Sequence, residues 1–169
     1  QIPVRNLVIT ATGTHSVPSA LSDARLAAKW EDSIILSVTL ALRNALPARM
    51  SFGSGVSYIN VQRDRIDPVT HRWWEGADYD GVSDKSVDVI KFTSATGAPI
   101  AAYYNYGVFN VVTGTLDLVS GDITGASSRY IEDAVGGDFV AALSAGPHGD
   151  QNPIYFQQTY DLREIRIKE

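Results

Sequence analysis

The sequence contains no cysteine among its 169 residues. This absence excludes disulfide frameworks, cysteine nucleophiles and thiolate zinc sites. It does not settle the compartment, because secreted proteins can also lack cysteine. No signal peptide or lipidation motif is visible, so the sequence makes no prediction of localisation.

Basic residues and long apolar runs are also scarce. The 14 Lys and Arg residues are outnumbered by 19 Asp and Glu residues, and the net charge of -5 argues against nucleic acid as a partner. The longest apolar stretch, 34–42, has about half of the ~20 residues that a membrane-spanning helix needs. Ser37 and Thr39 interrupt this stretch, so no transmembrane segment is expected.

The overall composition is typical of a globular protein. Hydrophobic residues make up 44% of the chain and charged residues 20%, which is enough apolar material for a packed core. The length of 169 residues suits one domain. We therefore expect residues 1–169 to form a single unit.

The first third of the chain predicts a strand, a polar loop and a helix. The run 6–12 is short, apolar and β-branched, which favours a buried strand, and a polar loop over 13–18 follows it. A helix is predicted over 23–46, with Ser22 as its N-cap and Pro47 as its end. Its apolar residues recur every four positions: Leu26, Trp30, Ile34, Val38 and Leu42.

The rest of the chain mixes strands with one further helix. The predicted elements are a strand over 56–61, a long polar loop over 64–84, a hairpin over 87–112, a helix over 124–135 and a buried strand over 139–144. A glycine-rich loop over 146–153 follows the last strand. Strands that alternate with helices predict the α/β class, here a mixed β-sheet layered with helices.

Two polar loops follow predicted strands, where ligands of open α/β sheets bind. The first loop contains His15, and the second contains His148, Asp150 and Asn152. Ordinary turns are the alternative interpretation of both loops. The third histidine, His71, is predicted to be solvated in the long polar loop. No HExxH, Walker or GxSxG motif is present.

Five short segments of the chain stand in the order of a known set of motifs. They are Val8–Pro18, Asn60-Val-Gln-Arg63, Asn105–Phe109, Val119–Gly125, and Phe139–Ala145 followed by Gly149-Asp-Gln-Asn-Pro153. In this order and approximate spacing they resemble the neutral (non-lysosomal) ceramidases, zinc amidases that cleave an N-acyl bond. The resemblance covers nearly the whole chain and implies the fold of part of the ceramidase catalytic domain.

The zinc ligands implied by this resemblance are replaced at two positions. The family holds zinc with the first histidine of its first motif and the histidine of its third, and these positions are Gly13 and Phe109 here. The other family ligands, a Glu and a Tyr, lie further along the family's chain than this sequence reaches. We therefore expect no zinc cofactor. Asn152 stands where ceramidases proper have a serine implicated in catalysis.

The polar residues that remain predict a metal-independent enzyme acting on an apolar or amide-containing small molecule. His15 and Arg63 match family residues that help to hold the polar groups of the substrate. We expect His15 to act as acid and base, and Arg63 to stabilise a developing oxyanion or a carboxylate. Asp150 and Asn152 would orient these groups. The predicted substrate-binding residues are Tyr104, Tyr106, Phe109 and Asp122.

Two other functions stay open at this point. One is an N-acyl amide hydrolase of the ceramide type that is completed by another chain, or by His148 as a metal ligand. The other is a non-catalytic binding or assembly module. Family members run to several hundred residues, so 1–169 is expected to be a fragment or one chain of a larger assembly. Because a fragment exposes unpaired sheet edges, a second polypeptide or a second copy is expected to complete the sheet.

Overall fold

The computed structural model describes residues 2–18, 23–114, 116–154 and 156. A single 3₁₀ turn, Val4–Asn6, precedes the regular elements. The helices are α1 (Ala24–Arg43) and α2 (Asp122–Val135); the strands are β1 (Arg49–Val56), β2 (Asn60–Ile66), β3 (Trp73–Asp78), β4 (Ser86–Thr93), β5 (Pro99–Tyr106), β6 (Val140–Ala145) and β7 (Gln151–Pro153). The predicted mixed α/β class is confirmed.

A four-stranded sheet has the strand order β1-β4-β5-β6. Strand β4 runs antiparallel to both β1 and β5, and β6 runs parallel to β5. A parallel neighbour requires a crossover connection, and α2 provides it. The predicted hairpin is confirmed in β4 and β5, although its second strand ends at Tyr106 and not at residue 112.

A three-stranded antiparallel sheet has the order β3-β2-β7. Here β2 is the central strand, so that Val61 pairs with Asn152 and Arg65 pairs with Trp74. The register shifts between Gln62 and Asp64, which is the signature of a β-bulge and can redirect a side chain. Arg63 lies in this bulge, beside the short strand β7.

Two small apolar clusters form the core. One cluster consists of Tyr104, Phe139, Ala141 and Leu143; the other consists of Tyr106, Val108, Val112 and Ile123. Ile131 of α2 packs on the first cluster and Ile123 of α2 belongs to the second. The core therefore lies where α2 covers β5 and β6.

Helix α1 has no buried residue and is exposed along most of its length. Asp23 caps it by accepting a hydrogen bond from the Arg25 backbone N–H at 2.8 Å, and the predicted cap, Ser22, lies outside the described residues. The helix ends at Arg43, with Asn44 as C-cap, three residues short of the predicted end. Trp30 and Ile34 remain 44% and 47% exposed. None of the described helices is long and apolar enough to cross a membrane.

The strand predicted over 6–12 is not formed. After the 3₁₀ turn the chain continues without regular structure, and Val8 is 84% exposed. A β-branched run favours a strand only where another strand is present to pair with it. No strand among the described residues pairs with this run.

Two predictions for the middle of the chain are also wrong. The run 56–61 is not one strand, because the chain leaves the larger sheet after Val56 and enters the smaller sheet at Asn60. The predicted loop over 64–84 contains the end of β2 and all of β3. The first prediction was wrong because apolar residues alternate across the junction between the two sheets. The second was wrong because β3 has no alternation of apolar and polar residues that would predict a strand.

Candidate functional site

The half-buried ring of Phe109 lies at the centre of a cluster of polar side chains. The His15 ring meets it edge-on, with centroids 5.8 Å apart, and the His148 ring does so at 4.5 Å. The Arg63 guanidinium carbon lies 4.6 Å from the centroid of the same ring, a cation–π distance. We call these four residues the Phe109 cluster. It joins four segments that are far apart in the sequence.

The backbone around Phe109 and His15 is tied to its neighbours. The Phe109 backbone N–H donates to the Gln151 carbonyl at 2.9 Å, and the His15 backbone N–H donates to the Asn110 carbonyl at 3.0 Å. The Asn110 side chain donates in turn to the Thr12 carbonyl. Both sides of the His15 loop are therefore held by the segment that follows β5.

His15 also lines a cavity of about 370 Å³. It is shallow, and its walls expose about as much polar as apolar surface. They come from the loop after His15 and from the segment before α2: Ser16, Val17, Pro18, Leu116, Asp117, Leu118 and Val119. Small-molecule sites are typically concave and apolar with a few placed polar groups. His15 is the imidazole that joins this cavity to the Phe109 cluster.

Arg63 is part of a second polar group that the sequence did not predict. Its Nη1 lies 3.6 Å from Oε1 of Glu75, and the same oxygen accepts a hydrogen bond from the Asn152 side-chain amide at 2.7 Å. The Arg63 Nε atom and the Asn152 Oδ1 atom are buried without hydrogen-bond partners among the described residues. An unpaired buried polar atom costs ~1–3 kcal/mol, so it calls for a functional or structural reason.

Asp150 holds Arg63 from the backbone side. The Arg63 N–H donates to the Asp150 carbonyl at 2.8 Å, and the Asp150 carboxylate accepts from the Gln62 side chain at 2.7 Å. Burial alone raises the pKa of the Asp150 carboxyl, but hydrogen bonds from Gln62 and Gln151 and the charge of Arg63 outweigh it and lower this pKa below its usual value. Asp150 is therefore ionised at neutral pH and suited to positioning Arg63, not to donating a proton.

Tyr104 and Tyr106 lie in the two core clusters. The Tyr104 hydroxyl is 2.8 Å from the Ser127 hydroxyl. The Tyr106 hydroxyl donates to the Ser57 carbonyl at 3.0 Å and accepts from the Asn60 N–H at 3.2 Å. Burial raises the pKa of Tyr106, so its phenol stays neutral at physiological pH. Substrate binding by either tyrosine stays a prediction that these contacts do not favour.

Asp122 is also occupied by its own chain. Its carboxylate accepts hydrogen bonds from the backbone N–H groups of Val112, Thr113 and Ile123 and from the Thr113 hydroxyl. The residue is 3% exposed and has a φ of 52°, in the left-handed region that few residues adopt. These contacts support a structural role at the start of α2.

The described residues do not fit a catalytic zinc ion. No group of three or more His, Cys, Asp or Glu side chains among them is arranged to hold a metal, and a catalytic zinc site needs three protein ligands. At the two positions where the ceramidase resemblance implies ligands, Gly13 has no side chain and Phe109 is apolar.

Sequence comparison finds curated relatives but no matching family model. Neutral ceramidase A of Dictyostelium discoideum is 28% identical over 170 residues, which cover 88% of this chain and 24% of that protein. Neutral ceramidase B of the same organism is 27% identical over 169 residues, with the same two shares. The chain thus spans 24% of the length of these relatives.

Solved ceramidase structures have the same fold. A ceramidase complexed with C2 matches with a TM-score of 0.74 and 23% identity, covering 94% of this chain and 29% of that chain. The neutral ceramidase from Pseudomonas aeruginosa matches with a TM-score of 0.71 and 21% identity, covering 94% and 30%. Sequence similarity and fold together show that this chain carries a neutral-ceramidase-like domain.

Proposed function

We propose that the chain is a metal-independent enzyme on this ceramidase-like scaffold, acting on an apolar or amide-containing small molecule. The observation that carries the proposal is the position of His15. His15 lines a shallow cavity with polar and apolar walls, and its imidazole meets the Phe109 ring, which Arg63 contacts as well. A proton-transfer group and a fixed cation thus lie within one cluster beside a cavity.

Each polar residue of the cluster has a distinct role in this proposal. His15 transfers protons, since imidazole changes its charge near neutral pH. Arg63 is a permanent cation and stabilises the negative charge that develops on a carbonyl oxygen under attack. Glu75 holds Arg63 and Asn152 together, and Asp150 fixes the Arg63 backbone.

The curated relatives are named ceramidases, and a ceramide contains an N-acyl bond. We therefore assign N-acyl amides with an apolar acyl chain as the substrate class for this chain. The apolar residues on one part of the His15 cavity wall, Val17, Leu116 and Leu118, suit the acyl chain, because apolar surface removed from water contributes about 25 cal/mol per Å².

Replacing His15 by alanine tests this proposal. We expect H15A to lower the hydrolysis rate of N-dodecanoyl-aminocoumarin by about 10²–10⁴-fold, the usual contribution of a general acid or base. Only the backbone of His15 forms a hydrogen bond within the described residues, so the circular dichroism spectrum should not change. H71A, which alters a histidine in the turn between β2 and β3, is the matched control.

The same assay tests metal independence. Turnover should be unaffected by prolonged treatment with EDTA. Turnover that EDTA removes and added zinc restores would contradict the proposal and favour a hydrolase whose ligands come from another chain. Wild-type activity in H15A would remove His15 from the mechanism.

Assembly with a second polypeptide is a further candidate function, favoured by the exposed faces of α1 and β1. Phe52 of β1 is 72% exposed, and α1 and residues 2–9 line an apolar groove of about 510 Å³. Strand β1 pairs only with β4 among the described strands. An open strand edge and an apolar helix face fit a second polypeptide that adds a strand beside β1 and packs on α1.

Native mass spectrometry of the protein from its natural host tests this assembly. We expect a complex with one second polypeptide, and we expect the double variant I34D/I35D to release it, because both changes place charge in the apolar groove. The exposed pair S33D/S37D on the same helix is the control. A protein that stays monomeric would contradict the assembly, and a homodimer would replace the second polypeptide by a second copy.

A further inference from the structure

We propose that His148 is the proton acceptor of the Phe109 cluster, with Nε2 as the accepting atom. This inference deepens the proposed function and rests on it. His148 lies in the loop after β6, half-buried against the Phe109 ring. It is the second imidazole of the cluster.

The hydrogen bond of His148 determines which nitrogen can accept a proton. Its Nδ1 atom lies 2.6 Å from the Gly146 carbonyl oxygen. A carbonyl oxygen only accepts hydrogen bonds, so Nδ1 must carry the hydrogen, and in the neutral ring Nε2 then has the free lone pair. The Gly146 carbonyl therefore fixes the tautomer that a base requires.

No side chain from position 13 covers Nε2, because residue 13 is glycine. A Cβ atom at position 13 would lie 3.5 Å from His148 Nε2, so a longer side chain there would cover the nitrogen. Gly13 has a φ of 68°, a conformation that glycine adopts at little cost. The local backbone thus favours the one residue that leaves Nε2 reachable.

The loop that carries His148 is anchored on both sides. The Gly146 N–H donates to the Tyr106 carbonyl at 2.9 Å, and the Gln151 N–H donates to the His148 carbonyl at 3.0 Å. Gly107 permits a close approach, because a Cβ there would lie 2.6 Å from the Pro147 carbonyl oxygen. A base works best when it is held in place, since misplacement of a reacting group is costly in rate.

Few charged groups lie around the His148 imidazole. His15 and Arg63 contact the same Phe109 ring, and Asp150 is two residues further along the loop with its carboxylate bonded to Gln62. No carboxylate forms an ion pair with His148 among the described residues. The Gly146 carbonyl is therefore what orients this base.

The two imidazoles can then divide the proton transfers of amide hydrolysis. A water oxygen forms a bond to the carbonyl carbon and gives one proton to His148 Nε2, while the C=O π electrons move to the oxygen, which Arg63 stabilises. When C=O re-forms, the C–N bond breaks and the nitrogen takes its electron pair and a proton from protonated His15. The proton on His148 leaves through solvent and another reprotonates His15. The products are a carboxylic acid and an amine.

The test compares H148Q with H71Q in the full chain, with N-dodecanoyl-aminocoumarin as the probe. Glutamine keeps the polarity of the side chain but cannot accept a proton at neutral pH. We expect H148Q to lower kcat by about 10²–10⁴-fold and to abolish the fall in rate on the acid side of the pH profile. We expect H71Q to stay within about twofold. In wild type, ¹⁵N NMR should show His148 protonated on Nδ1 and not on Nε2.

The outcomes separate the two proposals. Turnover that survives H148Q with an unchanged pH profile would overturn the role of His148 alone, as would a neutral imidazole protonated on Nε2. Wild-type protein that does not hydrolyse the probe would overturn the proposed function and the role of His148 together.

Discussion

Replacing Arg63 by lysine is expected to lower kcat/KM for N-dodecanoyl-aminocoumarin by about 100-fold or more, the size of effect seen when one oxyanion-stabilising donor is removed. The Arg63 guanidinium lies 4.6 Å from the Phe109 centroid and 3.6 Å from Glu75. A lysine ammonium has no planar fork to satisfy both contacts at once. The loss should fall mainly on kcat, because the developing oxyanion exists only in the transition state.

Arg65 offers a matched control on the same strand. Its guanidinium carbon lies 5.3 Å from the Trp74 ring, and its Nη1 donates to the Ala77 carbonyl at 3.0 Å. R65K therefore removes a similar stacked arginine outside the cluster, and we expect its kcat/KM to stay within about twofold of wild type. Equal losses of kcat/KM in R63K and R65K would show that any change of an arginine on β2 lowers activity. This result would contradict the specific role of Arg63.

Replacing Asp122 by alanine is expected to give the largest loss of stability, a decrease of ~3–5 kcal/mol in the free energy of unfolding. The Asp122 carboxylate accepts hydrogen bonds from Val112, Thr113 and Ile123 in a buried site. Alanine would leave these donors without an acceptor. It would also not relieve the strain of the backbone, because a φ of 52° is unfavourable for alanine as well. Urea unfolding followed by circular dichroism measures the change.

Two further variants give this measurement its controls. D122N retains one acceptor oxygen and tolerates the left-handed backbone, so its loss should be clearly smaller than that of D122A. D133A removes an exposed carboxylate from the same helix, and it should change the free energy of unfolding by less than about 0.5 kcal/mol. A D122A protein as stable as wild type would show that the carboxylate is dispensable at the start of α2.

The hairpin of β4 and β5, helix α2 and strand β6 were predictable from sequence, since their apolar patterns match the core that they build. The smaller sheet was not predictable. Strand β3 contains Trp73, Trp74 and Glu75, which have no alternation, and only pairing with β2 makes the segment a strand. The exposed run 6–12 has a local preference for a strand but does not form one, because no strand among the described residues pairs with it.

Motif order placed His15, Arg63 and Asn152 in one site, and the structure locates Glu75 between the last two. Glu75 gave no sequence signal, because its hydrogen-bond partner Asn152 lies 77 residues further along the chain. The contact of His148 with Phe109 depends in the same way on the packing of two loops. Tyr104 and Tyr106 lie in the core clusters. The sequence could not distinguish this position from a binding wall, because an aromatic strand has the same sequence pattern in both.

The geometry of Gly13 and His148 has a consequence for how such a site can evolve. A substitution at position 13 meets a left-handed backbone and an imidazole 3.5 Å from the new Cβ, so its effect depends on the residue at 148. Changes at 109 are tied in the same way to the arginine and the two histidines around that ring. Substitutions in contact are not additive. The order in which a lineage changes these positions therefore affects the outcome, because the effect of each change depends on the residues already present at the others.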